Sequence, residues 1–278
     1  MHITVAACQT HADVQRPDPS YIDHAVRQAA AQGATLIVLP ELAVSGYCFE
    51  SVEEARAAAE PVDGPTVDRL RSLSAELNCA IVGGFCELGE SGELYNSAAI
   101  VDGGELLQCY RKAHLWGREP DWFSAGGQHP VPVETRAGRV AVMICYDLEF
   151  PEWVRLAAQA GADIIAVPCN WPLTHHPAGE RPLDLVKAQA AAGTNRVHIV
   201  VADRCGTERG VDWIGGSVVI HSSGYPVAGP ATTDGEAASP AILTADLDLE
   251  AARNKLLGDR NHAFADRRPR LYGESPSQ

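Results

Sequence analysis

Four reactive side chains each come directly after an apolar run that is typical of a buried strand. Glu41 follows "LIVLP", Lys112 follows "LLQCYR", Cys145 follows "VAVMI" and Asn170 follows "IIAVPC". Ligands of open α/β sheets bind outside the carboxyl ends of the strands. If these four strands are neighbours, the four side chains converge on one crevice.

Three of these side chains also have an ordinary explanation when each is considered alone. Glu41 could satisfy backbone N–H groups at the start of a helix, and Lys112 could form a solvated pair with Arg111. Cys145 could be a core thiol, since free cysteine is among the most buried residue types. The ordinary explanations weaken together, because an acid, a cation and a thiol at three strand ends are what covalent acyl transfer requires.

The chemistry expected of this set is nucleophilic attack by Cys145 on an acyl carbon. A neighbouring cation and a helix N-terminus lower the pKa of a thiol, and we expect Lys112 and the helix that begins at Pro151 to do so. Burial should raise the pKa of Glu41, so that this carboxyl can exchange protons with the thiol, the leaving amine and water. Lys112 and the backbone N–H of Tyr146 would hold the oxyanion.

The elements that must position these residues alternate between strand and helix patterns, which predicts an α/β fold. Strands are predicted over 3–8, 34–40, 79–85, 94–101, 105–112, 139–145, 162–168, 197–204, 215–220 and 241–248. Helices are predicted over 21–32, 151–160 and 182–194, and a further helix carries Val67, Leu70, Leu73 and Leu77 on one face. The Gly-rich connections near 89–93 and 102–105 predict an antiparallel meander.

Two local signals refine this plan. Ser20 with Asp23 matches the capping signal of the first helix, and Gly33 is expected to end that helix. The segments "GATLIVLP" (33–40) and "GADIIAVP" (161–168) share a helix end, an apolar run and a closing proline. We interpret them as a weak internal repeat of two α-β-β halves, with the strands over 197–204, 215–220 and 241–248 completing the second half. Chance similarity between two ordinary βα units is the alternative.

Composition excludes several classes of protein. The chain has 278 residues and a formal net charge of -14 spread along its length, which argues against general nucleic-acid binding. It has no apolar run of membrane-spanning length, and its first residues resemble a strand rather than a signal peptide, so we expect a soluble, cytoplasmic protein. The eight cysteines are scattered singly, and His175 and His176 lack partners at metal-ligand spacing, so no metal site is expected.

Three long motifs resemble the signature blocks of the nitrilase superfamily, the carbon–nitrogen hydrolases. These motifs are "LPELAVSGY", "YRKAHLWGREPDWFSAGG" and "ICYDLEFPE", and the resemblance extends in order to "NSAAIVD" and the late "DRRPRLY". It implies a Glu–Lys–Cys triad at Glu41, Lys112 and Cys145, with Glu119 as a second glutamate. It also implies a four-layer α-β-β-α sandwich with two pseudo-symmetric halves, no cofactor, and a homodimer or larger homo-oligomer.

The same resemblance divides the chain into a carbon–nitrogen hydrolase domain over 1–262 and a C-terminal tail over 263–278. We expect the tail either to lie at a subunit interface or to be partly disordered. Family members often have Glu-Asn after the last core helix, where this chain has Thr194 before Asn195, and we expect an altered shell around the site there. The substrate pocket is expected to include the side chains of Tyr47, Trp116, Asn170 and Trp171.

These observations predict a cysteine-dependent amidase that releases ammonia from a small carboxamide. Nitrile hydrolysis and N-carbamoyl hydrolysis are alternatives, because the same triad serves all three reactions. A binding protein that kept the fold without the activity is a rival, although the intact Glu41, Lys112, Glu119 and Cys145 argue against it. A thiol peroxidase or transferase is a weaker rival, since such enzymes do not need a buried carboxylate and an ammonium beside the thiol.

Overall fold

The computed structural model of the protein describes residues 1–231 and 238–273. Its strands are β1 (His2–Gln9), β2 (Leu36–Val38), β3 (Ala80–Leu88), β4 (Leu94–Asp102), β5 (Glu105–Arg111), β6 (Val133–Thr135), β7 (Gly138–Val142), β8 (Ile164–Pro168), β9 (His198–Ala202), β10 (Thr207–Glu208), β11 (Val211–Asp212), β12 (Val218–Ile220), β13 (Pro226–Ala228) and β14 (Ala241–Asp248). Its α-helices are α1 (Ser20–Ala31), α2 (Val52–Ala58), α3 (Pro65–Leu77), α4 (Pro151–Gln159), α5 (Leu183–Asn195) and α6 (Leu249–Arg253).

Two six-stranded sheets form the centre of the molecule. The first has the strand order β14-β1-β2-β3-β4-β5, and the second has the order β13-β12-β9-β8-β7-β6. Each sheet has three parallel strands at its centre, β1 to β3 in the first and β7 to β9 in the second, with antiparallel strands outside them. The two pseudo-symmetric halves of the predicted α-β-β-α sandwich are therefore confirmed.

The central strands are mostly apolar, as expected for strands with both faces buried. Val5 and Ala7 of β1 belong to the core that the first sheet shares with the second sheet. Ala6 and Cys8, which alternate with them, pack in the core under α1 and α3. On the other side of the molecule, α4 and α5 bury their apolar faces against the second sheet. Four layers result from this alternation.

The last strand is placed differently from the prediction. The segment 241–248 was expected in the second half, but β14 pairs antiparallel with β1 in the first sheet, with Ile3 opposite Leu247. Without this partner, one edge of β1 would leave a row of unpaired backbone groups in a long apolar strand. The chain therefore returns from β13 of the second sheet to β14 of the first sheet, and this connection joins the two sheets in addition to their packing.

The helix boundaries follow from capping and from glycine. The capping predicted for Ser20 is wrong: Pro19 occupies the N-cap position of α1 without a side-chain cap, and the Asp18 carboxylate accepts the Ser20 N–H at 2.9 Å. Gly33, with φ of +87°, follows the end of α1 as predicted. Proline stands in the first turn of α3 and of α4, where no N–H donor is needed.

Several predicted strands are shorter in the structure, since β2 spans only 36–38 and β7 ends at Val142. Phe264, inside the predicted tail over 263–278, packs against the large core, and positions 274–278 of that tail lie outside the described residues. Among the residues that the structure describes, no helix is long and apolar enough to cross a membrane.

Candidate active site

Sheet topology brings Glu41 and Lys112 to the same edge of the first sheet. The strand β5 is antiparallel to β4, which is itself antiparallel to β3, so β5 runs in the direction of β2 and β3. Glu41 lies just beyond the carboxyl end of β2, and Lys112 directly follows β5. The Lys112 ammonium donates to Glu41 Oε1 at 2.7 Å, and both side chains are fully buried.

A second carboxylate and an amide complete this buried network. Lys112 Nζ also donates to Glu119 Oε1 at 2.8 Å, while Glu119 Oε2 accepts the Trp116 backbone N–H at 2.7 Å. Asn96 Nδ2 donates to Glu41 Oε1 at 2.7 Å and to Glu119 Oε1 at 3.0 Å. The sequence reasoning gave Asn96 no role, although a polar side chain near the start of an apolar strand was a usable signal.

Cys145 reaches this network from the second sheet. The chain leaves β7 through Met143 and Ile144, and Cys145 begins a short 3₁₀ helix, Cys145–Glu149, with φ of +47°. This left-handed conformation is unfavourable for a residue with a side chain and is typical of functional sites. Cys145 Sγ lies 4.0 Å from the Asn170 carbonyl oxygen and in hydrogen-bond contact with the Cys169 thiol.

The ionisation of Cys145 differs from the prediction. The hydrogen bond with Cys169 lowers the pKa of Cys145, but burial and the Glu41 carboxylate raise it, and the resulting pKa lies above that of an ordinary thiol. The charge of Lys112 does lower the pKa of Cys145, as expected, yet this ammonium is already paired with two carboxylates. Cys145 is therefore a protonated thiol at neutral pH and needs a base in order to react.

Glu41 has the properties of that base. Burial raises the pKa of Glu41 to about 7, Lys112 opposes this shift, and Glu119 adds to it. The rise predicted from burial is confirmed. Burial also disfavours the charged form of Lys112, but Glu119 and Glu41 outweigh it and hold the pKa of Lys112 well above its ordinary value. At neutral pH the site therefore contains a permanent cation beside a carboxyl group that can gain or lose a proton.

The turn that carries Glu41 is fixed by its backbone. Leu42 has φ of +47°, and the Glu41 carbonyl accepts the Asn170 side-chain amide at 3.0 Å. The Arg204 guanidinium, fully buried, donates to the Leu42 carbonyl at 3.1 Å and to the carboxylate of Glu208 at 2.6 Å. Arg204 follows β9 closely, so the pattern of a charged side chain after a buried strand could have revealed it.

Glycine allows this turn to pack against the first sheet. A Cβ atom on Gly84 of β3 would lie 2.6 Å from the Leu42 nitrogen and 2.7 Å from the Glu41 Cα. Contacts that short do not occur between real Cβ atoms and backbone. Gly84 in the predicted third strand is therefore a requirement of the site rather than a weakness of the strand.

We expect Arg204→Lys to lower kcat by about tenfold and the free energy of unfolding by about 1–3 kcal/mol. Lysine can keep the ion pair with Glu208. It lacks the second guanidinium nitrogen that donates to the Leu42 carbonyl, so the turn that carries Glu41 loses a fixed hydrogen-bond donor. Steady-state kinetics and urea unfolding measure the two effects. Arg253→Lys is the matched control, because Arg253 pairs with the buried Asp163 away from the site. An unchanged kcat in Arg204→Lys would contradict a positioning role.

A second network connects the segment after Lys112 to the Cys145 helix. The buried Asp147 carboxylate accepts the backbone N–H groups of His114 at 2.9 Å and Ile144 at 3.1 Å, and it also accepts the Tyr110 hydroxyl at 2.7 Å. Tyr110 lies in β5 of the first sheet and His114 follows that strand, whereas Ile144 follows β7 of the second sheet. Asp147 therefore fixes the position of Cys145 relative to Lys112.

A cavity of about 180 Å³ opens above Cys145. Three of the four predicted pocket residues line it: Trp116, Asn170 and Trp171, together with Tyr146. Tyr47 does not line this cavity; it is half-buried beside the charged network, where burial and then Glu119 raise the pKa of its hydroxyl. Pockets for larger ligands usually have volumes above about 300 Å³, so this cavity fits a small substrate.

Two further expectations concern the surroundings of the site. Thr194 lies in the last turn of α5, about 15 Å along the helix axis from Asp184 at the cavity. The expected effect of Thr194 on the shell of the site stays a prediction. Within residues 1–231 and 238–273, no group of three or more His, Cys, Asp or Glu side chains has the arrangement of a metal site.

Comparisons with known proteins agree over almost the full length of the chain. Residues 4–255 match the family model described as carbon–nitrogen hydrolase. A nitrilase from Pyrococcus abyssi is 34% identical over 273 residues, which are 97% of this chain and 99% of that protein. An N-carbamoylputrescine amidase from Solanum lycopersicum is 32% identical over 97% of this chain and 93% of its own length.

A solved structure is similar on the same scale. It is a glutamate-to-glutamine mutant of the amidase from Nesterenkonia sp. AN1, with the acetamide moiety of fluoroacetamide covalently added at the active site cysteine. Its TM-score is 0.75 and its sequence identity 29%, over 98% of this chain and 95% of that chain. The similarity therefore includes both sheets and all the segments that carry the buried network.

Proposed function

The chain belongs to the carbon–nitrogen hydrolase family, and on that premise we propose that it hydrolyses the C–N bond of a small linear carboxamide through a thioester on Cys145. One observation carries the proposal. A thiol lies at the base of a small cavity beside a carboxyl group whose pKa is about 7 and a permanently charged ammonium. These are the nucleophile, the proton carrier and the electrostatic stabiliser of acyl transfer.

The first half of the reaction forms the thioester. Glu41 takes the thiol proton as Cys145 Sγ attacks the amide carbon, and the carbonyl oxygen becomes an oxyanion. The Lys112 ammonium has three N–H donors, and the carboxylates of Glu41 and Glu119 take two of them. The third is directed to the oxyanion, together with the N–H of Tyr146, which lies in the first turn of a helix and has no intrahelical acceptor.

The second half returns the site to its starting state. Glu41 gives its proton to the departing nitrogen, so that the C–N bond breaks and ammonia leaves. A water molecule then attacks the thioester carbon while Glu41 takes one of its protons. The thiolate leaves, regains the proton from Glu41, and a carboxylic acid is released. Glu119 holds the Lys112 ammonium in place throughout.

The test is ammonia release from a panel of small amides, nitriles and N-carbamoyl amines, with Cys145→Ala as the blank. We expect ammonia from several amides at rates above those for the nitriles and N-carbamoyl compounds. An iodoacetamide probe should label Cys145 before the other seven cysteines, all of which are free thiols. Faster turnover of nitriles or of N-carbamoyl amines would assign one of those reactions instead. If no compound of the panel releases product and all eight cysteines are labelled equally, the result would support a binding protein that kept the fold without the activity.

Glu41→Gln tests the role of the base. We expect kcat to fall by about 10²–10⁴-fold, the range typical of a lost general base. In the unaltered protein, kcat/KM should decline as pH falls through about 7, because protonated Glu41 cannot accept the thiol proton. Rates of Cys145 alkylation between pH 5 and 9 report the same ionisation, and this acid limb should vanish in the variant.

Glu60→Gln is the control for this change, since Glu60 is a half-buried glutamate that accepts the Thr66 N–H away from the site. Its kcat should match that of the unaltered protein. Full activity of Glu41→Gln would be incompatible with the amidase mechanism and would favour the redox role.

A further inference from the structure

The cavity above Cys145 is lined by charged groups as well as by aromatic rings. Trp116, Tyr146 and Trp171 line it together with the thiol, which suits an uncharged amide. Charged residues line it at three positions, namely Glu149, Asp184 and Lys187. Glu149 ends the 3₁₀ helix of Cys145, and the other two come from the first turns of α5.

These charges do not cancel. Lys187 forms an ion pair with Glu149, and both side chains are partly exposed. Asp184 adds a second carboxyl group to this lining, and the charges of Glu149 and Lys187 both act on it. Burial raises the pKa of Asp184, and the charge of Glu149 adds to this shift. A cation between the cavity and Asp184 would relieve this repulsion, whereas a substrate carboxylate would increase it.

A buried hydrogen-bond acceptor, the side-chain oxygen of Asn170, indicates where the amide of the substrate lies. Asn170 lines the same cavity and is 3% exposed, and its Nδ2 is engaged by the Glu41 carbonyl. Among the described residues, its Oδ1 has no hydrogen-bond partner. A buried carbonyl oxygen without a donor is costly, and the N–H of a bound amide would satisfy it. Asn170 therefore offers a bound amide a partner that is not one of the charged residues.

The distance between Cys145 and Glu149 limits the length of the substrate. Glu149 is four residues beyond Cys145 on one 3₁₀ helix, so the two backbones are separated by about 8 Å along its axis. The cavity volume of about 180 Å³ equals the space that roughly six water molecules occupy in the liquid. An amide with about seven heavy atoms spans this length and fills this volume.

Resting on the amidase function proposed above, we propose that the site selects small amides whose far end carries a protonated amine, with Asp184 as the residue that confers this preference. The spacer between the amide carbon and the amine is about two to four methylene groups. The ammonium lies against Asp184 and Glu149, and the amide N–H reaches Asn170 Oδ1.

The test compares three amides of similar size: pentanamide, 4-aminobutanamide and succinamate, which are neutral, cationic and anionic at pH 7.5. We expect kcat/KM for 4-aminobutanamide to exceed that for pentanamide by about tenfold, and that for succinamate by about a hundredfold. Because the charges are partly exposed, both ratios should shrink between 20 mM and 500 mM NaCl. Asp184→Asn should reduce the ratio of 4-aminobutanamide to pentanamide by about tenfold.

Glu105→Gln is the matched control, because it removes one negative charge from an exposed position at the start of β5. Its ratio should equal that of the unaltered protein. If Asp184→Asn does not fold, the three substrates and the salt series still decide the question with the unaltered protein. Equal kcat/KM for pentanamide and 4-aminobutanamide, or a preference for succinamate, would overturn the inference and leave the amidase function intact. Ammonia release from no compound of the wider panel would count against the amidase function itself.

Discussion

Cys145→Ala is expected to lower kcat for amide hydrolysis by on the order of 10⁶-fold, the scale on which loss of a covalent nucleophile is felt. The remaining groups can polarise the carbonyl, but no side chain of the cavity replaces the attacking sulfur. Ammonia release in single-substrate assays measures the loss. An acyl-enzyme mass increment at residue 145, trapped with a slow amide, should be present in the unaltered protein and absent in the variant.

Cys169→Ala is the matched control for this prediction. Cys169 is equally buried and contacts Cys145, yet burial and the hydrogen bond with Cys145 hold its pKa well above that of an ordinary thiol. We therefore expect Cys169→Ala to keep kcat within about tenfold, since its removal changes only a neighbour of the nucleophile. Activity that survives in Cys145→Ala and disappears in Cys169→Ala would reassign the nucleophile.

Lys112→Met is expected to have the second largest effect, because it acts on stability and turnover together. It removes the cation from Glu41 and Glu119, two buried carboxyl groups that share the Asn96 side-chain amide as a donor. Removing one partner of a buried ion pair typically costs about 3–5 kcal/mol. Loss of an oxyanion donor lowers kcat by a further 10²–10³-fold or so.

The pH dependence of this variant follows from its carboxyl groups. Lys112 lowers the pKa of Glu41, so without this cation the pKa of Glu41 in the folded state lies further above its value in the unfolded chain. The folded state then binds more protons than the unfolded state. Stability then falls as pH rises. The loss in the free energy of unfolding should be smaller at pH 5 than at pH 8 in urea titrations. Lys255→Met, at a half-buried lysine far from the cavity, is the control and should keep kcat unchanged. An equal loss in the free energy of unfolding at pH 5 and pH 8 would contradict the pairing of Lys112 with these buried carboxyl groups.

The strands and the reactive residues after them were predictable because each depends on local pattern. An apolar run long enough for a buried strand, followed at once by Glu41, Lys112 or Cys145, defines both the strand and its carboxyl end. The direction of β5 was predictable for the same reason, since two short Gly-containing connections impose two reversals. Together these features bring a carboxylate and an ammonium to one edge.

The features that were missed depend on contacts between distant parts of the chain. No local pattern states that β14 pairs with β1, because the pairing joins residues more than 230 positions apart. Asn96 interrupts an apolar strand, and only the neighbouring Glu41 and Glu119 explain it. The pKa of Cys145 was misjudged because the sequence shows a nearby lysine but not the two carboxylates that already bind it.

The contact between Gly84 and the Glu41 turn has a consequence for how this protein can change. The turn rests on main-chain atoms of β3, so the position of the base is set by two backbones in van der Waals contact. Side chains under α1 and α3 form a separate core on the other face of that sheet. Leu39 and Ala43, which flank the turn, belong to that core. An engineer who repacks the outer helical layer for thermal tolerance should therefore leave these two residues and Gly84 unchanged.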